Sequence, residues 1–153
     1  MPDDLVLHPD YELCADAARI DAGRVHALLA EHAYWAAGRP REVQDAAIAG
    51  SRSYAVHHRA TGALVAYARA VTDGATFAWL ADVVVDPAHR GNGLGRAVVA
   101  GALADLEAIG LKRILLKASD DGRRLYERAG FTPVPEPDTW LELRASTPAT
   151  SSA

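Results

Sequence analysis

The sequence predicts an α/β fold, in which one mixed, twisted sheet carries helices on both faces. Strand and helix patterns follow one another along the 153 residues in the order β-α-α-β-β-β-α-β-α-β. A run with glycine at every second position, Gly91 to Gly95, joins an apolar strand to an amphipathic helix. Half of the residues are apolar and 24% are charged, which is typical of a globular domain. We expect one domain over residues 1–145 and a disordered tail over residues 146–153.

The N-terminal half is expected to contain four strands and two helices. A strand over residues 11–16 precedes a helix over 21–31 that Asp21 caps, and a second helix over 42–48 follows the break at Gly38-Arg39-Pro40. A strand over 53–58 leads to two longer strands, 63–71 and 77–85. Asp73-Gly74 between them predicts a hairpin with a two-residue turn. That register places Tyr67, Arg69 and Asp82 on one face of the sheet.

The C-terminal half is expected to continue the alternation. A helix over residues 95–109 has an apolar stripe and ends at Gly110, and a strand over 113–117 follows. Asp121 is predicted to cap a short helix over 123–129, which Gly130 ends. The segment Trp140–Leu143 predicts the final strand.

Composition and charge exclude several classes of partner. The net charge of −4 comes without a basic stripe, so we expect no nucleic acid. No apolar run approaches the roughly 20 residues of a membrane span, so we expect no membrane. The single Cys14 excludes an internal disulfide, and no His/Cys cluster suggests a metal. Because the N-terminus is acidic and lacks the pattern of a signal peptide, we expect a cytoplasmic location.

The glycine run is the strongest sign of a ligand site. Glycines let the backbone turn tightly, and the helix that follows directs its N–H groups and positive dipole end at the same point. Arg90 and Arg96 add positive charge, so the segment predicts a site for an anionic pyrophosphate. A P-loop is excluded because no Gly-Lys-Ser/Thr follows, and the dinucleotide fingerprint has a different glycine spacing.

Two motifs give this chain a resemblance to a known family. Arg90-Gly91-Asn92-Gly93-Leu94-Gly95 resembles the coenzyme A signature of the GNAT superfamily of N-acetyltransferases, Arg/Gln-x-x-Gly-x-Gly/Ala. The segment Leu125–Phe131 is similar to the Leu-Tyr-x-x-x-Gly-Phe segment of that family. The resemblance covers residues 11–143. It implies a GNAT-like fold, acetyl-CoA as co-substrate, and transfer of the acetyl group to an amine by direct attack in a ternary complex.

The resemblance also implies which residues contact acetyl-CoA. The strand Val83–Val85 would offer backbone groups to the pantetheine arm, and one N–H would face the thioester carbonyl. Many members have an Asn seven residues before the Tyr of the second motif, where this chain has the shorter Ser119. The complete set predicted to bind the cofactor is Val83, Val84, Val85, Arg90, Gly91, Asn92, Gly93, Leu94, Gly95, Arg96, Ser119 and Tyr126.

Two residues are candidates for catalysis. The motif match makes Tyr126 the candidate general acid, since a phenol placed against the sulfur can protonate the departing thiolate. Asp82 is a carboxylate in an otherwise apolar strand, where burial is costly without a partner. Two interpretations of Asp82 stay open. It orients the substrate amine or accepts its proton through water, or it forms a structural ion pair with an arginine such as Arg69.

The acceptor is less well specified. Trp35 and Arg39 are predicted to hold an aromatic or carboxylate-bearing acceptor, with Arg69 as a further candidate substrate residue; the alternative is that Trp35 anchors a loop. A small amine and a protein amine both fit as acceptor. A different function, a non-catalytic acyl-CoA-binding sensor, stays open. So does a homodimer formed through the C-terminal strand around Trp140.

Overall fold

A five-stranded mixed sheet is at the centre of the fold, with its strands in sequential order. The computed structural model describes residues 6–146. The first four strands pair antiparallel, and the fifth runs parallel to the fourth. The strands are β1 (Tyr11–Cys14), β2 (Arg52–His58), β3 (Leu64–Thr72), β4 (Phe77–Val85) and β5 (Arg113–Leu115). The predicted α/β class with one mixed sheet is confirmed.

Helices cover both faces of this sheet, as predicted. In the described part of the chain they are α1 (Ala22–His32), α2 (Arg41–Ala49), α3 (Leu94–Ile109) and α4 (Arg123–Arg128). Single 3-10 turns lie at Ala17–Arg19, Tyr34–Ala36, Pro87–His89 and Pro137–Thr139. None of the helices between residues 6 and 146 combines the length and the apolarity that a membrane crossing needs.

Helix α1 covers one face. Its N-terminus is capped by Asp21, whose carboxylate accepts a hydrogen bond from the Arg24 N–H at 3.0 Å. Its apolar stripe is spaced for one helical face and is fully buried. The stripe (Val25, Leu28 and Leu29) packs against Ala55, Leu64, Tyr67 and Val84 of the sheet.

Helix α3 covers the opposite face and contributes six of the fifteen buried residues of the larger core cluster. Its predicted stripe is buried, with Leu103 and Ile109 at the half-buried margin. The helix ends at Gly110, whose φ of 86° belongs to the left-handed region that glycine adopts without strain. Helix α4 packs on the same side through Leu125 and Tyr126.

The hairpin between β3 and β4 differs from the prediction. The structure pairs Thr72 with Ala78, so five residues separate the last paired positions, whereas a two-residue turn would have paired Thr72 with Ala75. The cause is the Asp73 carboxylate, which accepts hydrogen bonds from the N–H groups of Ala75 and Thr76 and from the Thr76 hydroxyl. These bonds lower the pKa of Asp73 well below its ordinary value.

A bulge in β4 changes the register again. Arg69 pairs with Ala81, but Tyr67 pairs with Val84, so β4 has one residue more than β3 in this interval. Asp82 lies in the bulge with a φ of 55°. Asp82 therefore does face Arg69 as predicted, although the bulge and not a two-residue turn brings them together.

Two predicted features of the C-terminal part are wrong. Asp121 does not cap α4: the N-cap residue of that helix is Gly122, and the Ser119 hydroxyl accepts the Gly122 N–H at 3.1 Å. Trp140–Leu143 forms no strand. Prolines at residues 133, 135 and 137 remove N–H donors along the preceding segment, so it cannot extend the sheet. Of the predicted tail, all but Ser146 lies outside the described residues.

These packing differences predict different costs for two leucine substitutions. Leu106 is 0% exposed in the core, whereas Leu141 is 93% exposed. Leu106→Ala should lower the free energy of unfolding by about 2–5 kcal/mol, because it leaves a cavity. Leu141→Ala is the matched control and should change it by less than about 0.5 kcal/mol. Urea unfolding at pH 7 measures both, and equal losses would contradict the described packing of the C-terminal segment.

Candidate functional site

The glycine run forms a sharp loop between β4 and α3. After Val85, Asp86 caps the 3-10 turn Pro87–His89 by accepting the Ala88 N–H at 3.0 Å. Gly91 and Gly93 follow with φ angles of 83° and 71°. A Cβ at either position would meet no atom within 4 Å, so the backbone angle and not lack of space favours glycine here.

The N-terminus of α3 is open to a ligand. Its N-cap residue, Gly93, has no side chain to accept the first N–H groups of the helix. Arg90 and Arg96 are exposed on either side, and neither has an acidic partner among the residues that the structure describes. The free N–H groups and the positive end of the helix dipole therefore lie in the same short segment as two exposed arginines, which suits a phosphate or pyrophosphate.

Contacts that the sequence did not reveal hold this loop in place. The Asn92 side chain donates to the His89 carbonyl at 2.8 Å, so this predicted cofactor residue braces the loop itself. The His89 ring shares a hydrogen bond of 2.8 Å with the Tyr11 hydroxyl. Arg24 of α1 pairs with Asp86. The loop is thus tied to β1 and to α1, and only long-range structure could have shown these partners.

The strand before the loop has a free edge. β4 pairs with β5 only from Phe77 to Trp79, opposite Arg113 to Leu115. From Leu80 to Val85, no strand of the described chain pairs with β4 on this side, and the predicted pantetheine segment Val83–Val85 lies in this interval. Backbone N–H and C=O groups there are available to an extended ligand.

Gly95 lets α3 approach both the free edge of β4 and helix α4 closely. A Cβ on Gly95 would lie 3.5 Å from both the Val85 and the Leu125 side chains. The start of α3 is therefore adjacent to the end of β4 and to the helix that carries Tyr126. The structure thus groups the predicted cofactor residues from both motifs around one region.

Tyr126 is half-buried beside a cavity of about 300 Å³. Its ring packs perpendicular to Phe131, with 6.0 Å between the ring centroids. Burial raises the pKa of the phenol above its ordinary value. Its hydroxyl makes no hydrogen bond to the described residues, so the proton is free for a ligand. The Ser119 hydroxyl accepts the Gly122 N–H at 3.1 Å, and its own O–H remains available as a donor.

Asp82 is the centre of a second cluster. Its side chain is 2% exposed. One carboxylate oxygen accepts from Arg39 at 2.8 Å and from the Arg69 Nε–H at 2.6 Å. The other oxygen accepts from the Trp35 indole at 3.1 Å and from Arg39 at 3.3 Å. The structure therefore brings together all four residues predicted for the base and the acceptor: Trp35, Arg39, Arg69 and Asp82.

These contacts favour the ion-pair interpretation of Asp82. Burial by itself would raise the pKa of this carboxyl, but the hydrogen bonds from Arg39 and Arg69 outweigh it and lower the pKa. A carboxylate with its oxygens occupied and its pKa lowered is a poor proton acceptor near neutral pH. A catalytic role for Asp82 stays a prediction, and the observed geometry gives it the role of anchoring Trp35 and Arg39.

The loop between α1 and α2 carries Trp35 and Arg39, which are predicted to hold the acceptor, and is called the acceptor loop below. It has further supports that sequence reasoning missed. The His26 ring contacts the Arg39 carbonyl at 2.8 Å. Gln44 of α2 is fully buried and accepts a hydrogen bond from Arg39 at 2.8 Å. The signal that the sequence offered for this support was a glutamine at a position of the amphipathic helix α2 that the structure buries. Between residues 6 and 146, no group of three or more His, Cys, Asp or Glu side chains could hold a metal ion.

Among solved structures, one similar protein aligns with this chain over nearly the full length of both. A protein from Xanthomonas campestris pv. campestris, described as belonging to the GNAT family, has 35% sequence identity and a TM-score of 0.82. The alignment covers 90% of this chain and 94% of that protein. The fold and the lengths of the two proteins therefore correspond closely.

Named relatives match over shorter segments. Serotonin N-acetyltransferase 2 of rice is 43% identical over 75 residues, which is 49% of this chain and 38% of the relative. Glucosamine 6-phosphate N-acetyltransferase of Trypanosoma brucei brucei is 31% identical over 80 residues, 48% of this chain and 54% of the relative. The chain thus spans less than two thirds of the length of either relative.

The family comparison covers both motifs. The sequence model of the acetyltransferase (GNAT) family matches residues 22–131, which include the acceptor loop, the glycine loop and the Tyr126 segment. The predicted resemblance is confirmed, and this chain belongs to the acetyltransferase (GNAT) family.

Proposed function

We propose that this protein transfers the acetyl group of acetyl-CoA to a primary amine by direct attack in a ternary complex. The observation that carries the proposal is the open, cationic N-terminus of α3 next to the free edge of β4. A pyrophosphate fits the first and an extended pantetheine arm fits the second. Family membership supports acetyl-CoA as the donor.

Each part of the donor site has a role in this proposal. The N–H groups after Gly93, with Arg90 and Arg96, bind the pyrophosphate. The edge of Val83–Val85 holds the pantetheine arm by backbone hydrogen bonds, because the valine side chains at these positions can only pack. One N–H of this edge faces the thioester carbonyl and stabilises negative charge on its oxygen.

The chemical step requires two proton transfers: the departing sulfur of CoA must gain a proton, and the attacking amine must lose one. The amine nitrogen bonds to the acetyl carbon, the C–S bond breaks, and the CoA sulfur takes a proton. Tyr126 supplies that proton, since its hydroxyl is unbonded among the described residues and its raised pKa keeps it protonated at neutral pH. Water takes the proton from the amine and restores the phenol, because the Asp82 oxygens are occupied.

The acceptor is proposed as a small amine or a protein amine. The relatives named above differ in the acceptors that their names print, serotonin and glucosamine 6-phosphate. They therefore support amine acetylation without choosing an acceptor for this chain.

The donor site predicts that one loop glycine is needed for acetyl-CoA binding. Gly93→Val adds a side chain at a φ of 71° and displaces the N–H groups that follow, so the affinity for acetyl-CoA should fall by about tenfold or more. Gly74→Val is the matched control, because Gly74 has a φ of 74° in the distant hairpin. Calorimetric titration of wild type and both variants measures this. Equal affinity of the Gly93 variant and wild type would place the donor elsewhere.

The proposed acid predicts a selective loss of turnover. Tyr126→Phe keeps the ring and its packing on Phe131 but removes the hydroxyl. We expect kcat to fall by about 10²-fold, with the acetyl-CoA affinity nearly unchanged. Steady-state kinetics with calorimetry on the same sample separates the two quantities. Unchanged kcat would remove Tyr126 as the acid, and binding of acetyl-CoA without turnover of any amine by wild type would favour the sensor alternative.

The buried ion pair predicts that Asp82→Asn destabilises the fold. It leaves two guanidinium groups without their carboxylate, which should cost about 3–5 kcal/mol at pH 7. Asp45→Asn removes an exposed i,i+4 pair with Arg41 and should cost less than about 0.5 kcal/mol. Because the folded-state pKa of Asp82 is lowered, its contribution is present above the unfolded pKa of about 3.9 and is lost as pH falls further.

Urea unfolding of wild type and both variants between pH 3 and pH 7 tests this dependence. The gap between wild type and Asp82→Asn should narrow below about pH 4. An Asp82→Asn protein that is as stable as wild type but turns over slowly would instead support the catalytic interpretation.

A further inference from the structure

The cluster around Asp82 carries an excess positive charge. Two guanidinium groups, from Arg39 and Arg69, share one carboxylate. The side chains of the two arginines are 20% and 14% exposed, so solvent screens this charge only in part. One arginine would neutralise Asp82. The second adds a net charge of about +1 to a half-buried site, and such a charge is costly without an anion.

Both arginines retain free donors. A guanidinium has five N–H groups. Arg39 donates to both Asp82 oxygens and to Gln44, and Arg69 donates to Asp82 and to Ser51. The remaining N–H groups, including both on Arg69 Nη2, have no partner among the described residues. They can bind the oxygens of a further anion, and a guanidinium often does so through two parallel bonds.

Gln44 gives an independent sign of an incomplete site. Its side chain is fully buried, and its amide nitrogen has no hydrogen-bond partner among the described residues. The assignment of the amide is fixed by Arg39, which can only donate and therefore faces the Gln44 oxygen. An unpaired buried donor next to the same guanidinium is what an absent acceptor oxygen leaves behind.

The position of the cluster connects it to the proposed reaction. Asp82 immediately precedes Val83, the first residue of the strand edge proposed to hold the pantetheine arm. The bulge directs the Asp82 side chain towards the α1–α2 loop, which contributes Trp35 and Arg39. An anion bound by this cluster would therefore lie on the acceptor side, a few residues along β4 from the thioester.

We propose that the acceptor amine carries an anionic group, a carboxylate or a phosphate, which Arg39 and Arg69 bind. This inference rests on the proposed acetyl transfer and names the substrate class of that same site. The two anions share the chemistry that the arginines recognise, so matched acceptors distinguish them.

The wild-type experiment compares pairs of acceptor amines, of which one member carries an anionic group and the other is its neutral counterpart. Glycine, β-alanine and 4-aminobutyrate are each paired with their amides, and O-phosphoethanolamine is paired with ethanolamine. We expect kcat/KM to be about tenfold or more higher for the anionic member of at least one pair. The amine of glycinamide is less basic than that of glycine, so a larger fraction of it is unprotonated and able to attack at neutral pH. Amine basicity by itself would therefore favour the neutral member of this pair. The pair with the larger ratio identifies the anion.

Two variants remove the excess charge by opposite routes. Arg69→Gln deletes one guanidinium and leaves Asp82 paired with Arg39. Gln44→Glu replaces the amide with a carboxylate of the same shape and keeps the oxygen that faces Arg39. It tests the same inference if Arg69→Gln fails to fold. Each should reduce the preference for the anionic acceptor to about twofold or less, with the acetyl-CoA affinity unchanged. Arg52→Gln is the matched control, because Arg52 pairs with Asp105 and not with this cluster, and it should keep the preference.

The outcomes separate this inference from the proposed function. Equal kcat/KM for anionic and neutral acceptors overturns the anion site and leaves acetyl transfer intact. If no amine is acetylated, the proposed function fails, and a binding measurement still tests the site. N-acetylglycine should then bind the CoA-saturated protein more tightly than N-acetylglycinamide, and Gln44→Glu should abolish the difference. Equal affinities, or a difference that Gln44→Glu preserves, overturn the inference.

Discussion

The buried carboxylate of Asp82 is the constraint on which the acceptor side of this structure depends. A bulge holds the residue in the left-handed region, which costs a non-glycine residue about 1–3 kcal/mol. Arg39, Arg69 and Trp35 all donate to it. These bonds connect the α1–α2 loop to the centre of the sheet, so one ion pair fixes both the strand distortion and the loop that faces it.

The donor side depends on a different kind of interaction. There the proposed contacts come from backbone groups, at the free edge of β4 and at the first turn of α3. Side chains mainly stabilise the glycine loop: Asn92 donates a hydrogen bond within it, and the hydroxyl of Tyr11 in β1 shares a hydrogen bond with the His89 ring. In the proposal, the two substrates are therefore bound mainly by two different chemistries, peptide N–H groups for acetyl-CoA and arginine side chains for the anionic group of the acceptor.

The glycine loop before α3 could be predicted from the sequence because residue type alone encodes its backbone angles. Gly91 and Gly93 have positive φ angles, and Gly110 ends α3 in the same way. On the acceptor side, the predicted strand pairing already placed Arg69 and Asp82 on one face of the sheet, but no pattern in the sequence showed that Trp35 and Arg39 join them. Their meeting depends on a bulge at a non-glycine residue and on a loop held by Gln44 and His26. The predicted final strand was wrong: its apolar residues resemble a strand, but Trp140–Leu143 forms none, and the segment before it carries three prolines that remove N–H donors.

The division between backbone and side-chain recognition has a consequence for how such a protein changes over time. Apart from the loop glycines, Arg90 and Arg96, the α3 end of the molecule should accept many side-chain replacements, since the other contacts proposed there come from the backbone. The α1–α2 loop should diverge less freely, because Arg39 pairs with Asp82 in the fold and is also proposed to bind the acceptor. A new acceptor preference that replaces Arg39 or Arg69 therefore requires a compensating change at position 82. Selection and engineering for new acceptors should proceed through paired substitutions in β4 and the loop.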